Sequence, residues 1–325
     1  MDELSDLPYW LALMGKDRLV PIQAIQESMT KNNSISELWE INPELLGTWG
    51  FSTNEIRRFV EFRASFKLEH HQRALESLVK QNIQIVTYID PDYPAILKDN
   101  GNYYIKPPLA FLIKGSIKNI GEGVAIVGTR ECSFHGHMMA RKLAKTIAKA
   151  GYFVAAGLAR GVDTEAHCGA LEAPSGKTIA VLPWFDKIYP EENVKLAADI
   201  AKNGAIISEY YKPPFENSRS QSFAKAAFVI RNRIISGLCR CIILVESGVT
   251  GGTFRQASIA AEQGRQLFAV KPKSENKEAL EGFRKFVEMG AIPIESAKPV
   301  LQFLESKNFK SIKEQKIDHF YQHYM

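Results

Sequence analysis

Hydrophobic and polar positions along this chain change period once, near residue 83. Up to residue 82 the apolar residues recur at helical spacing: Trp10, Leu11, Leu13 and Met14, then Ile56, Phe59, Val60 and Phe62, then Leu75, Leu78 and Val79. The segment starts carry local capping chemistry. Ser36 precedes Leu38 and Trp39 as a candidate cap. Asn42-Pro43-Glu44 puts proline at a first helical position, and Ser52-Thr53-Asn54-Glu55 is a capping-box pattern. Residues 1–82 are therefore expected to form a small helical N-terminal domain. It is either a module that binds a DNA backbone or a partner, or, on the plainer reading, packing that shields one side of the main domain.

From residue 83 the pattern becomes short apolar runs. The expected strands are 83–89, 109–113, 124–127, 152–156, 178–182, 204–208, 241–245 and 267–270. From 124 onwards most of these runs are followed by a turn and a helix-like stretch. Such alternation predicts an α/β fold with a mostly parallel sheet flanked by helices. Residues 83–296 are expected to form this domain. Residues 297–325 read as a short basic-aromatic tail, too small to fold alone.

The turns carry the candidate chemistry. In an open parallel sheet they collect at the carboxyl ends of the strands, where ligands bind. Gly128-Thr129-Arg130 offers close backbone approach, a hydroxyl and a planar guanidinium for an oxyanion, and the next helix would aim its free N–H groups at the same point. Gly157 and Arg160 repeat the arrangement, with Asp163 where a helix N-cap would sit. Gly251-Gly252-Thr253 is a third turn suited to phosphate. His167 could read a base or phosphate, but a lone histidine is more often structural. Glu209 is expected to pair with an arginine rather than act as an acid.

Between residues 217 and 240 there are five basic residues, Arg219, Lys225, Arg231, Arg233 and Arg240, and no acid. Phe223 and Phe228 are interleaved; either they offer stacking faces to bases or they pack inward on a helix. Arg231-Asn232-Arg233 favours a role in phosphate binding. The net charge of +5 permits a nucleic-acid partner without requiring one. No apolar run approaches the roughly 20 residues of a membrane span. The acidic start, Met1-Asp2-Glu3, lacks the basic region of a secretory signal. The four cysteines form no C-x-x-C pair. A cytoplasmic protein with reduced thiols is expected. Loops of the G-x-x-x-x-G-K-[ST] type, H-E-x-x-H pairs, G-x-S-x-G elbows and zinc spacings are missing. No cofactor, metal or catalytic machine is therefore expected.

Taken in order, Ile126-Val-Gly-Thr-Arg130, Gly157-Leu-Ala-Arg-Gly-Val-Asp163 with Ala166-His167, Ile188-Tyr-Pro190, Ser208-Glu209, Arg231-Asn-Arg-Ile-Ile-Ser-Gly-Leu238 and Glu262-Gln-Gly-Arg265 resemble the DNA-processing protein A family, also called Smf. The likeness runs from about residue 7 to about residue 294. It implies an extended Rossmann-like domain behind a small helical, SAM-like N-terminal domain. It also implies binding of single-stranded DNA without sequence preference, homodimerisation, and delivery of the strand to a RecA-type recombinase in natural transformation. Carried over, Arg130, Arg160, Arg231 and Arg233 are the phosphate-contacting set, with Asn232 inside the Arg-Asn-Arg motif. Gly128, Thr129, Gly157, Gly252 and Thr253 form the pocket backbone. Lys225, Phe223, His167 and Glu209 are further candidates.

This chain departs from the family pattern in three places. The stretch before Arg231 is longer than usual, and Val229-Ile230 replaces an expected proline. The glycine loop leads to Gln256. The C-terminal winged helix of many members finds no room. Two other classes stay open beside the DNA binder. One is a hydrolase of nucleoside monophosphates, whose Gly-Gly-x-Gly-Thr-x-x-Glu pattern would need a carboxylate where Gln256 stands. The other is a nucleotide sensor signalling through the N-terminal helices.

Overall fold

The computed structural model describes residues 3–16, 19–98, 105–212, 221–273 and 277–306. The N-terminal part is helical, as its period predicts: α1 (Glu3–Leu13), α2 (Ile22–Asn32), α3 (Glu37–Glu40), a 3-10 stretch Pro43–Trp49, α4 (Thr53–Ala64) and α5 (Leu68–Lys80). Ser52 and Glu55 form the reciprocal capping box, and the Asn42 side chain accepts from the Glu44 N–H. Ser36 does not cap α3. Its backbone is already helical and its hydroxyl is shared with Ser34.

The sheet comes next, with β1 (Gln84–Thr87), α6 (Ala95–Lys98) and β2 (Ala110–Gly115) as a preface. Then come β3 (Gly123–Gly128), α7 (Phe134–Lys149), β4 (Phe153–Ala156), α8 (Val162–Leu171), β5 (Thr178–Val181), α9 (Val194–Asn203) and β6 (Gly204–Ser208). The last elements are α10 (Gln221–Gly237), β7 (Cys241–Val245), α11 (Gly252–Glu262), β8 (Gln266–Val270), α12 (Lys277–Glu288), β9 (Ile292–Ile294) and α13 (Lys298–Glu305). The strand order is β1-β2-β6-β5-β4-β3-β7-β8-β9. All neighbours from β6 to β9 are parallel; β1 and β2 add an antiparallel edge.

Two features extend beyond the sequence expectation. Strand β9 is a ninth strand, pairing Phe268 with Ile292 and Val270 with Ile294. Its central Pro293 masks it as a strand, yet proline is tolerated there because the strand lies at the sheet edge. Residues beyond 296 are not all tail. Val300 and Leu304 of α13, four apart on one helix face, bury against the sheet with Val124 and Ile126. The Leu304 carbonyl accepts from Arg240 Nη1 at 2.7 Å.

The core follows the alternation of the strands. Val124 and Ile126 face α7, α8 and α13, while Ala125 and Val127 face α10, α11 and α12. Both faces are covered, so the parallel strands read as continuous apolar runs. The N-terminal helices do not hold a separate core. Trp10, Leu13, Leu38 and Phe59 join Leu112 of β2, Ala180 of β5, Ile206 of β6 and Ile200 of α9 in one cluster. Among the described residues, no helix is long and apolar enough to cross a membrane.

Candidate nucleic-acid interface

From β3 the chain steps one way through β4, β5 and β6, then crosses back to β7 on the other side of β3. The carboxyl ends of β3 and β7 therefore flank the topological switch point, where open α/β sheets bind ligands. A cavity of about 380 Å³ opens there.

Three elements line it with predicted residues. The turn after β3 supplies Gly128, Thr129 and Arg130. Helix α10 supplies Arg231 and Asn232. The start of α11 supplies Gly252 and Thr253, beside Gly251. Gly251 takes φ 127°, and a Cβ at either Gly251 or Gly252 would meet nothing within 4 Å. Backbone and open space thus face the cavity where a bulky residue would narrow it.

Arg231 is the centre of the electrostatics. It is 8% exposed, and its Nη1 donates to the Val181 carbonyl at 2.7 Å. Among the described residues no carboxylate lies at ion-pair distance from it, and its Nε has no hydrogen-bond partner. Burial brings its pKa down to about 10, helped by repulsion from Arg130 and opposed by Asp163. Burial likewise pushes the Asp163 carboxyl up, against the pull of Arg231 and the N–H groups of Ala159 and Gly157. Asp163 is not the N-cap of α8. That position is Gly161, and Asp163 sits in the first turn, accepting from the Gly157 N–H at 2.9 Å.

The structure redistributes several expected roles. Gly157 is not in the cavity wall. A Cβ there would overlap the Arg231 guanidinium, so this glycine is the slot through which that side chain passes. Gly128 lines the cavity, but its closest constraint is the Val245 carbonyl of the neighbouring strand. Arg160 points elsewhere, paired with Glu192 through Nη2 at 3.1 Å and lying over the Tyr189 ring. Arg233 is turned away as well. Its Nη2 lies 2.7 Å from both Glu209 oxygens, and its Nη1 donates to the Lys106 carbonyl. Residues two apart on a helix point about 200° apart, and Arg233 does not line the cavity that Arg231 lines. Glu209 pairs with an arginine, as expected. Lys225 and Phe223 belong to α10, whose side chains are described only from Ala227 onward; Arg219 lies outside the described residues.

His167 is fully buried beneath the site. The Thr178 hydroxyl donates to the Val154 carbonyl at 2.8 Å, so it accepts from His167 Nδ1 at 2.7 Å. This fixes the neutral Nδ1–H tautomer. Burial first, then the charge of Arg231, lowers the His167 pKa from 6.5 to about 3. The folded state thus binds fewer protons than the unfolded one between these values. Its stabilising effect is complete above pH 6.5 and declines as the pH falls. The loss should reach about 2 kcal/mol at pH 5. Urea denaturation at pH 7 and pH 5 will show that decline in the parent and a shallower one in His167→Gln. Parallel declines would show that His167 is not held neutral.

Sequence reasoning left Phe228 undecided and did not place Asp163 in the site; both line the cavity. The Phe228 ring sits 5.5 Å from Trp184 in edge contact, with Arg130 at 5.9 Å and Arg231 at 6.0 Å from its centre. Helical spacing carried the missing signal, because residue 228 lies three before residue 231 and so on the same face. Gln256 also lines the wall. Its Nε2 donates to the Asn232 carbonyl at 2.9 Å and approaches Ser236 Oγ at 3.1 Å. A carboxylate in that place would face the carbonyl with an oxygen. Of the carboxylates outside the cavity wall, Glu209 is engaged by Arg233 and Glu246 by Ser133, while Glu131, Asp163 and Glu278 line the cavity itself.

Fold and site together define a Rossmann-like protein with a glycine-edged cavity at its switch point, lined by Arg130 and Arg231 and also by Glu131, Asp163 and Glu278. Residues 84–305 match the family described as DNA recombination-mediator protein A, and the chain belongs to that family. It is 34% identical to the DNA processing protein DprA of Bacillus subtilis, over 73% of this chain and 76% of that protein. It is 31% identical to the protein Smf of Synechocystis, over 92% of this chain and 73% of that one. The solved DprA of Streptococcus pneumoniae superposes with a TM-score of 0.73 at 26% identity, covering 93% of this chain and 98% of that one. A Helicobacter pylori structure, which describes a single-stranded DNA binding mode of DNA processing protein A, superposes at 0.55 and 29% identity. It covers 68% of this chain and 95% of its own.

Proposed function

We propose that this protein binds single-stranded DNA through its phosphates in the switch-point cavity, without sequence preference. It acts in the cytoplasm as a homodimeric mediator that passes the strand to a RecA-type recombinase. The observation that carries this reading is Arg231, a buried cation at the cavity wall that Asp163 attracts only from beyond ion-pair distance, with no closer carboxylate among the described residues. Burying such a charge is unfavourable unless an anion completes it. Arg130, exposed beside it, supplies a second cation. The Helicobacter pylori relative, described with single-stranded DNA, supports the choice of anion. Contacts to phosphate alone would make binding indifferent to sequence. No catalytic step is part of this reading.

The test is fluorescence anisotropy of a labelled oligo-dT across a salt series, with duplex DNA and AMP as competitors. Binding that weakens steeply with salt and is displaced by single strands but not by AMP is expected. Displacement by AMP with weak oligonucleotide binding would move the cavity to a nucleotide enzyme or sensor. Arg130→Ala should weaken binding equally for different sequences and reduce the slope of log K against log salt by about 0.7, the value of one single-strand phosphate contact. An unchanged slope removes Arg130 from the interface. Delivery to the recombinase is read separately, as RecA filament formation on strands precoated with a single-strand binding protein.

A further inference from the structure

Glu246 comes directly after β7 and is 7% exposed. Its φ is 43°, a left-handed conformation that glycine would adopt without steric cost. The glutamate side chain gives a reason for its presence. Its Oε2 accepts from the Ser133 N–H at 2.7 Å, and its Oε1 accepts from the Ser133 hydroxyl. Its own carbonyl accepts from the Thr129 N–H at 2.9 Å. Ser133 Oγ in turn accepts from the Gly136 N–H at 3.1 Å, closing the first turn of α7. One residue thus grips both ends of segment 129–133, and Arg130 lies between the grips. The start of α7, where the sequence suggests an anion could bind, is engaged by this chain's own carboxylate.

We infer that Glu246 is a positioning residue for single-stranded DNA: it locks the 129–133 segment so that Arg130 faces the cavity. This rests on the phosphate-binding reading of that cavity. The expected effect is opposite in direction to simple electrostatics. A carboxylate beside a phosphate site repels the ligand, so deleting it should tighten binding if charge alone matters. If Glu246 positions the segment, deletion weakens binding even though an anion has been removed.

The experiment measures oligo-dT anisotropy with the full chain and with Glu246→Ala, Glu246→Gln, Arg130→Ala and the double variant Arg130→Ala/Glu246→Ala. Urea denaturation confirms each fold, and amide hydrogen exchange is followed over residues 128–136 without DNA. Glu246→Ala should bind about five- to tenfold more weakly and exchange faster in that segment. Glu246→Gln should recover binding to within about twofold, because its amide can accept from the Ser133 N–H and donate to Ser133 Oγ. In the double variant the second substitution should add almost nothing, since an unlocked Arg130 has little left to lose. Tighter binding by Glu246→Ala, or full multiplication of the two losses, would overturn the proposal. Should Glu246→Ala fail to fold, Ser133→Ala removes one grip and must weaken binding in the same direction; unchanged binding there also overturns it. If Arg130→Ala binds DNA like the parent, Arg130 is outside the interface and the proposal is overturned, while the phosphate reading still stands or falls on Arg231. The hydrogen-exchange comparison then still decides whether Glu246 locks the segment.

Discussion

Replacing Arg231 with alanine is expected to cost about 3 kcal/mol of stability, with a roughly tenfold or greater loss of single-stranded DNA affinity. Both effects come from one side chain with two duties. Inside the protein it offsets the buried Asp163 carboxyl and donates to the Val181 carbonyl. Towards the cavity it presents a positive charge. Truncation leaves Asp163 without its cation, Val181 without a donor, and a void in the slot over Gly157. A second variant separates the duties. In Arg231→Met/Asp163→Asn the buried charges are removed together, while the asparagine oxygen can still accept from the Gly157 N–H. Stability should largely return, because neutral groups of similar volume replace two buried charges at little cost. DNA affinity should not return. Urea denaturation and oligo-dT anisotropy read the two quantities on the same samples. Recovery of both would show that the Arg231 charge is structural and does not hold the strand.

Glu209→Ala is expected to destabilise the fold by about 3–5 kcal/mol, because it removes the carboxylate that pairs with the buried guanidinium of Arg233. The two side chains are 3% and 10% exposed and meet through both carboxylate oxygens, the arrangement in which losing one partner costs most. Removing both, as in Glu209→Leu/Arg233→Met, should restore most of that stability. Affinity for DNA per folded molecule should stay at the parent value in the double variant, since neither residue lines the cavity. A double variant that is stable yet binds DNA several-fold more weakly would return Arg233 to the interface, as the Arg-Asn-Arg motif suggests on sequence alone.

These two arginines also measure how much of the site is legible in the sequence. The turns 128–130 and 251–253, and Arg231 itself, are readable because strand-turn-helix grammar places them at one end of a parallel sheet. The Arg-Asn-Arg motif misleads because adjacency in sequence is not adjacency on a helix. With about 100° per residue, its two arginines serve opposite sides of α10. Gly157 is recognisable as a position demanding no side chain, but what demands it is a guanidinium arriving from α10, far along the chain. Arg160 carries the same residue type as Arg130 and sits in a similar turn, yet Glu192 captures it.

The local and periodic content of the molecule was therefore set by the order of residues alone. It comprises the helical start with its capping box, the run of buried parallel strands, the glycine turns and the family they spell. Those features depend on neighbours within a few residues, through hydrogen bonds and side-chain spacing that any chain segment carries with it. Which charges face outward to a ligand, and which are spent within the fold, came from packing. Packing assigned Glu209 to Arg233, Glu246 to the start of α7, and the slot over Gly157 to Arg231. It also merged the N-terminal helices into the core of the sheet and added β9 and α13 to the domain. Burial and pairing of a charge depend on partners that lie far off in sequence, and only the packed chain brings them within reach.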